Sequence, residues 1–169
     1  RRHVLGTVAA GILADPDRLT AGRRGRIAMK ALMSLAPGGP ETLAFQEVPA
    51  PVAGAGELLV GVRACAINYP DVLIIADRYQ FKPARPFAPG CEVAGVVEAI
   101  GAGVEGWQVG DRAIGTVVNG GLAERIALPA RNAFHLPEGH GFAEGSALLI
   151  TYATAMHALI DRGRIRAGD

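Results

Sequence analysis

The sequence predicts a mainly β fold with short helices: a small barrel or sandwich that gives way to a helical segment near the C-terminus. Three observations predict it. From Met29 to about Arg131 the apolar residues come in short runs, several with strand-like alternation. Those runs are separated by turns rich in glycine and proline, in a chain that holds 23 glycines and 11 prolines. After Pro137 the pattern changes and the apolar spacing becomes helical. Many short strands joined by glycine-rich turns are the mark of a small barrel or sandwich.

The elements follow in order. MKALMSL, from Met29, has a strand rhythm and runs into the turn signal PGGP at 37–40. TLAFQEV (42–48) leads to the loop PAPVAGAGE. ELLVGVRACAI (57–67) alternates, which predicts one face of Leu58, Val60, Val62, Ala64 and Ala66, with Arg63 and Cys65 on the other. YPDVLIIAD reads as one or two turns of helix, with Pro70 at the first helical position and Asn68 or Tyr69 as the cap. EVAGVVEAI (92–100), RAIGTVV (112–118) and LAERIALP (122–129) are three further strands. Over 142–163, Leu148, Thr151, Ala155, Ala158 and Leu159 lie near helical spacing. This predicts a helical segment, with a break near Thr151 if it forms two helices, stopped at Gly163.

Composition narrows the function. The 169 residues, 50% hydrophobic and 20% charged, allow one domain and the start of a second. A formal net charge of +1 gives no argument for nucleic acid. No apolar run approaches the ~20 residues of a membrane helix. Cys65 and Cys91 form no CxxC pair, which suits a reducing, cytoplasmic compartment. Residues 1–28 stand apart, with six arginines against two acids. They are read as an Arg-rich leader, non-native or disordered. A transit peptide is the alternative, against which Asp15 and Asp17 speak.

GAGVEG (101–106) matches the dinucleotide fingerprint G-x-G-x-x-G letter for letter. A working fingerprint needs a helix after it, so that the helix N-terminus faces the pyrophosphate. WQVGDRAIG follows instead, with two more glycines and a returning strand pattern. The segment therefore reads as a β-turn whose glycines supply positive φ.

Three stretches together resemble one family. They are ACAINYPDVLIIADRYQFKPARPFAPGCEVAGVVEAIGAGVEGWQVGDRAIG (64–115), GGLAERIALPA (120–130) and SALLITYATAMHALIDRGRIRAGD (146–169). They resemble the medium-chain dehydrogenase/reductase superfamily, and within it the zinc-independent, zeta-crystallin-like NADPH:quinone oxidoreductases. The resemblance implies a GroES-like, partly open β-barrel domain over 29–137, on the substrate side. It implies that 138–169 is a helical bridge and the truncated start of a nucleotide-binding Rossmann domain, with a strand and glycine-rich turn expected directly after RAGD. The expected function is that of a fragment of an oxidoreductase passing hydride from NADPH to a quinone or to an activated alkene or carbonyl. The fragment alone is expected to bind nucleotide weakly and to be inactive, and a complete member is expected to be a homodimer. The apolar residues of 143–162 are expected to be exposed in the lone chain and to favour self-association.

The resemblance also places the ligands of zinc-using relatives. They fall at Asn68, Cys91 and Ile150, and no four-cysteine lobe exists between Asp111 and Leu136. An amide is a poor zinc ligand and Ile150 cannot coordinate, so no metal is expected. Cys91–Glu92 is the remnant of a ligand motif, or Cys91 is simply a small buried hydrophobe. His135 and His140 are expected in a solvated Pro/Gly loop. Without zinc, a developing oxyanion needs hydrogen-bond donors. The resemblance makes Asn68 the catalytic candidate and a cofactor contact, with a helix cap as the alternative. Tyr69 is a candidate for the substrate pocket or for core packing. Asp71 either contacts the cofactor region or complements the helix dipole. Tyr79 stacks on a quinone ring or anchors its loop. Thr151 and Thr154 match the family's threonine region near the nicotinamide, with back-bonding to a helix carbonyl as the alternative for Thr154. The competing readings are an enoyl-thioester reductase or a zinc alcohol dehydrogenase of the same superfamily and, from another class, a catalytically inert GroES-like module.

Overall fold

The computed structural model describes residues 27–166 and 168; the Arg-rich leader expected over 1–28 lies outside the described residues except for its last two. Among the described residues there are seven strands: β1 (Ala28–Ser34), β2 (Leu43–Pro49), β3 (Glu57–Ala66), β4 (Glu92–Ile100), β5 (Arg112–Thr116), β6 (Arg125–Pro129) and β7 (Ala133–His135). The helices are α1 (Tyr69–Ile75), α2 (Phe142–Ser146) and α3 (Leu149–Met156), the last continued by a π-helical turn over His157–Arg162.

β3 to β7 form one antiparallel sheet in the order β6-β3-β4-β5-β7. β1 and β2 pair separately. β1 is tied to the larger sheet's loops by Leu32 N–H to Leu122 O (2.9 Å) and Ser34 N–H to Phe87 O (2.8 Å). The sheet thus curls without closing, a partly open barrel, as expected. Its centre is filled by Leu58, Val60, Val93, Val97, Ala113, Ile126 and Leu128. Burying an aliphatic side chain of this size contributes about 1.5–3 kcal/mol.

Several details depart from the sequence expectation. The alternation of β3 does not run through. The register jumps from Val62↔Gly95 to Ala64↔Ala94, leaving Arg63 as the extra residue of a bulge. One extra residue reverses the faces beyond it. Cys65, expected opposite Leu58, therefore packs with Val62 against the Leu58 core. Pro70 takes the second helical position, because Tyr69 already starts α1. β5 ends at Thr116 and β6 begins at Arg125; of the residues before it, Ala123 makes only a bridge to Ala31. β7 has no counterpart in the sequence expectation, and it takes His135 out of the expected loop. His135 stacks on Trp107, with ring centroids 3.9 Å apart. The helical break falls at Ala147–Leu148, ahead of Thr151.

The GAGVEG run is a turn. Gly103 and Gly106 have φ of 75° and 76°, and no helix follows. At the other end, α2 and α3 are seated on β4 and β5 by Phe142 and Leu149 packing on Ala94, Ile114 and Leu136. α3 buries no residue: Tyr152 and Met156 are exposed, as are Leu148 before it and Leu159 after it. Among the described residues, no helix is long and apolar enough to cross a membrane.

Candidate active site

The site is built where β3 ends, β4 begins and α3 starts. Asn68 is the N-cap of α1, in extended backbone conformation, so its side chain stands at the strand-to-helix junction. Asp71, three residues on, accepts the Asn68 N–H at 2.8 Å, the return arm of a capping box. The Asn68 amide itself reaches across the chain: Nδ2 donates to Glu92 Oε2 at 3.2 Å. Glu92, the first residue of β4, is fully buried. Its other oxygen, Oε1, accepts the N–H of Ile150 at 3.1 Å and that of Leu149 as well. One carboxylate thus joins Asn68 to the first turn of α3. Sequence reasoning reaches Glu92 only beside Cys91, as part of a former metal motif. An acidic residue directly ahead of the apolar run VAGVV (93–97) is the signal that could have marked it.

The candidate residues divide into two groups. Asn68 is joined through Glu92 to the first turn of α3, the helix that carries Thr151 and Thr154. Both threonines are exposed, and their hydroxyls bond to no described residue, so the back-bonding alternative for Thr154 does not hold. Tyr69 stands beside Asn68 and is 74% exposed, which rules out core packing.

For Asp71 and Tyr79 the geometry fits the second of the two readings expected, a first-turn acid at the helix N-terminus and a loop anchor. Asp71 is buried, and besides Asn68 it accepts Gly90 N–H at 3.0 Å and the Cys91 thiol at 3.4 Å. Both oxygens are turned inward, where they hold the Asn68 and Gly90 backbones and the Cys91 thiol. Tyr79 packs with Ile74, Ile75 and Phe87 at the C-terminal end of α1, away from Asn68. It anchors its loop there.

The two thiols lie under the site, and both are free. Burial, then the nearby Asp71 charge, pushes Cys65 up to about 11. The same causes, with the hydrogen bond to Asp71 added, push Cys91 up to about 12. Both stay protonated at neutral pH, and a protonated thiol is a poor nucleophile. Among the described residues, no group of three or more His, Cys, Asp or Glu side chains could hold a metal ion.

Comparison with known proteins agrees with this layout. The alcohol dehydrogenase GroES-like domain family matches residues 54–138. A quinone oxidoreductase of Rattus norvegicus is 40% identical over 148 residues, covering 86% of this chain and 45% of that protein. The crystal structure of a probable oxidoreductase from Mycobacterium abscessus superposes with a TM-score of 0.81 at 37% identity, over 86% of this chain and 46% of that one. A mycobacterial structure complexed with NADPH does so with a TM-score of 0.77 at 32% identity, over 83% and 44%. The chain spans a little under half the length of these proteins. It belongs to the alcohol dehydrogenase GroES-like domain family, within the medium-chain dehydrogenase/reductase superfamily.

Proposed function

We propose that this chain is the substrate-side part of a zinc-independent, NADPH-dependent quinone oxidoreductase of the reducing cytosol. The observation that carries the reading is the link from Asn68 through Glu92 to the first turn of α3, the helix that carries Thr151 and Thr154. Relatives named quinone oxidoreductase and a structural neighbour complexed with NADPH support it.

The donor chemistry fits a nicotinamide better than a metal. At the three positions of a zinc site, the Asn68 amide is bonded to Glu92, the Cys91 thiol donates to Asp71, and Ile150 brings an N–H already given to Glu92. For a nicotinamide, Thr151 and Thr154 present two exposed hydroxyls one turn apart on α3. These would hold the ring's amide.

A bound reduced nicotinamide supplies the hydride. Asn68 orients the substrate oxygen: Nδ2 carries two N–H groups, of which one goes to Glu92 and the second remains to stabilise charge on that oxygen. Tyr69 forms an exposed aromatic wall for a flat quinone or enone.

The test uses the protein that carries this chain, treated with a chelator, and follows NADPH consumption with a benzoquinone. Turnover that survives metal removal and falls at least about a hundredfold in Asn68→Ala supports the reading. Turnover abolished by the chelator and restored by zinc overturns it.

A further inference from the structure

We infer that Glu92 is a positioning residue that dictates which way the Asn68 amide faces and locks that orientation to the start of α3. The inference rests on the oxidoreductase reading for its effect on turnover, but not for its geometry.

Glu92 is 0% exposed. Its hydrogen-bond partners are all N–H donors: Asn68 Nδ2 on Oε2, and Leu149 and Ile150 N–H on Oε1. No arginine, lysine or histidine among the described residues forms an ion pair with it. Burying an acid without a cation is costly, and a neutral side chain would join β4 to α3 more cheaply. What the carboxylate does that an amide does not is accept at both ends. A carboxylate oxygen cannot donate, so Asn68 must turn its NH2 inward. Because the amide is planar, this fixes both the remaining N–H and Oδ1. The same carboxylate holds the turn of α3 that carries Thr151. The donor at Asn68 and the hydroxyls on α3 therefore share one reference point.

A single-atom exchange tests this. In Glu92→Gln the two α3 donors still require an oxygen at Oε1, so the new NH2 group faces Asn68. Asn68 must then turn Oδ1 inward, and its NH2 is reversed. The carrying protein is labelled with 15N, and exchange of the Asn68 side-chain amide protons is measured alongside kcat and KM. In the parent protein one Asn68 proton is expected to be protected from exchange and its partner open. In Glu92→Gln both become open, kcat falls at least about tenfold, and KM for NADPH moves less than about threefold. The double variant Glu92→Gln with Asn68→Ala has a kcat no lower than that of Asn68→Ala alone, because both changes remove the same donor.

The pair Glu92→Gln with Asn68→Asp covers the case in which the single variant is unstable. The amide introduced on β4 can then donate to the carboxylate introduced at the cap of α1, so melting temperature recovers while turnover does not. Unchanged protection of the Asn68 proton in Glu92→Gln would overturn the inference, as would independent, multiplying effects of the two single changes, or recovered turnover in the double variant. If the parent protein reduces no quinone, the oxidoreductase reading fails, and the exchange measurement still decides the orientation.

Discussion

The Arg112 guanidinium lies over the Phe142 ring, 4.7 Å from its centroid, and so ties β5 to the first helix of the C-terminal segment. The same side chain donates to Pro137 O at 3.0 Å and to His140 O. One arginine thus holds both ends of the 137–141 connection and the helix it leads into. Arg112→Ala is expected to lose about 1–3 kcal/mol, which combines the cation–π contact with two charge-assisted bonds at a partly exposed site. Glu138 lies inside the connection, so cleavage there by a glutamate-specific protease reports its loosening. Arg112→Lys should be nearly as susceptible, since an ammonium cannot reproduce the planar fork and the stacking. Protection in Arg112→Ala equal to the parent's would show that α2 is held by Phe142 and Leu149 packing alone.

Two glycines of the GAGVEG turn should respond unequally. A Cβ on Gly101 would collide with Gly54 O, because Gly101 N–H bonds Glu57 O at 2.8 Å and the two loops lie backbone against backbone. Gly103 has φ of 75° but open space around it. Gly101→Ala must push the 54–57 turn aside, at a cost of about 1–3 kcal/mol or more. Gly103→Ala should cost only the strain of left-handed backbone, about 1–2 kcal/mol. Thermal unfolding ranks the two. A larger loss at Gly103 would contradict the role of Gly101 as a contact point between loops.

What the sequence could and could not reveal follows from the range of the forces involved. The apolar run of β4 and the glycine turn at 101–106 are local patterns, and both were legible. The bulge at Arg63 was not, because it is a property of pairing between β3 and β4 and leaves no mark on β3 alone. β7, with three residues, is too short to show a period; its bonds to β5 define it. Asn68 is legible through resemblance. Its partner Glu92 lies 24 residues away, and the α3 donors lie 57 and 58 residues from Glu92. Contacts at such separations are invisible to spacing arguments. The break before α3 falls earlier than Thr151 for the same reason: Glu92 binds the N–H groups of Leu149 and Ile150 and so sets where the helix starts.

Asp71 provides the pH-dependent prediction. Its charge helps to hold Cys65 at about 11 and Cys91 at about 12, against an ordinary value of 9.0. In the unfolded chain both thiols lose their protons near pH 9, while in the folded chain they keep them. Between about pH 9 and 11 the folded state therefore binds more protons, and stability falls as pH rises. Asp71→Asn removes the charge and leaves burial in place. The folded values should move back toward 9.0, so the alkaline loss of stability between pH 9 and 11 becomes shallower. Thiolate at Cys91 should also form at lower pH, and alkylation by iodoacetamide near pH 9 should quicken. The cost is one lost acceptor oxygen, either Oδ1, which serves Gly90 N–H, or Oδ2, which serves Asn68 N–H and the Cys91 thiol, and it lowers stability at neutral pH by about 1–3 kcal/mol. Denaturant melts across the pH range, with mass-spectrometric counting of alkylated thiols, separate the two effects. An Asp71→Asn chain that is less stable at pH 7 yet loses stability toward pH 11 as steeply as the parent would show that burial alone raises the thiols.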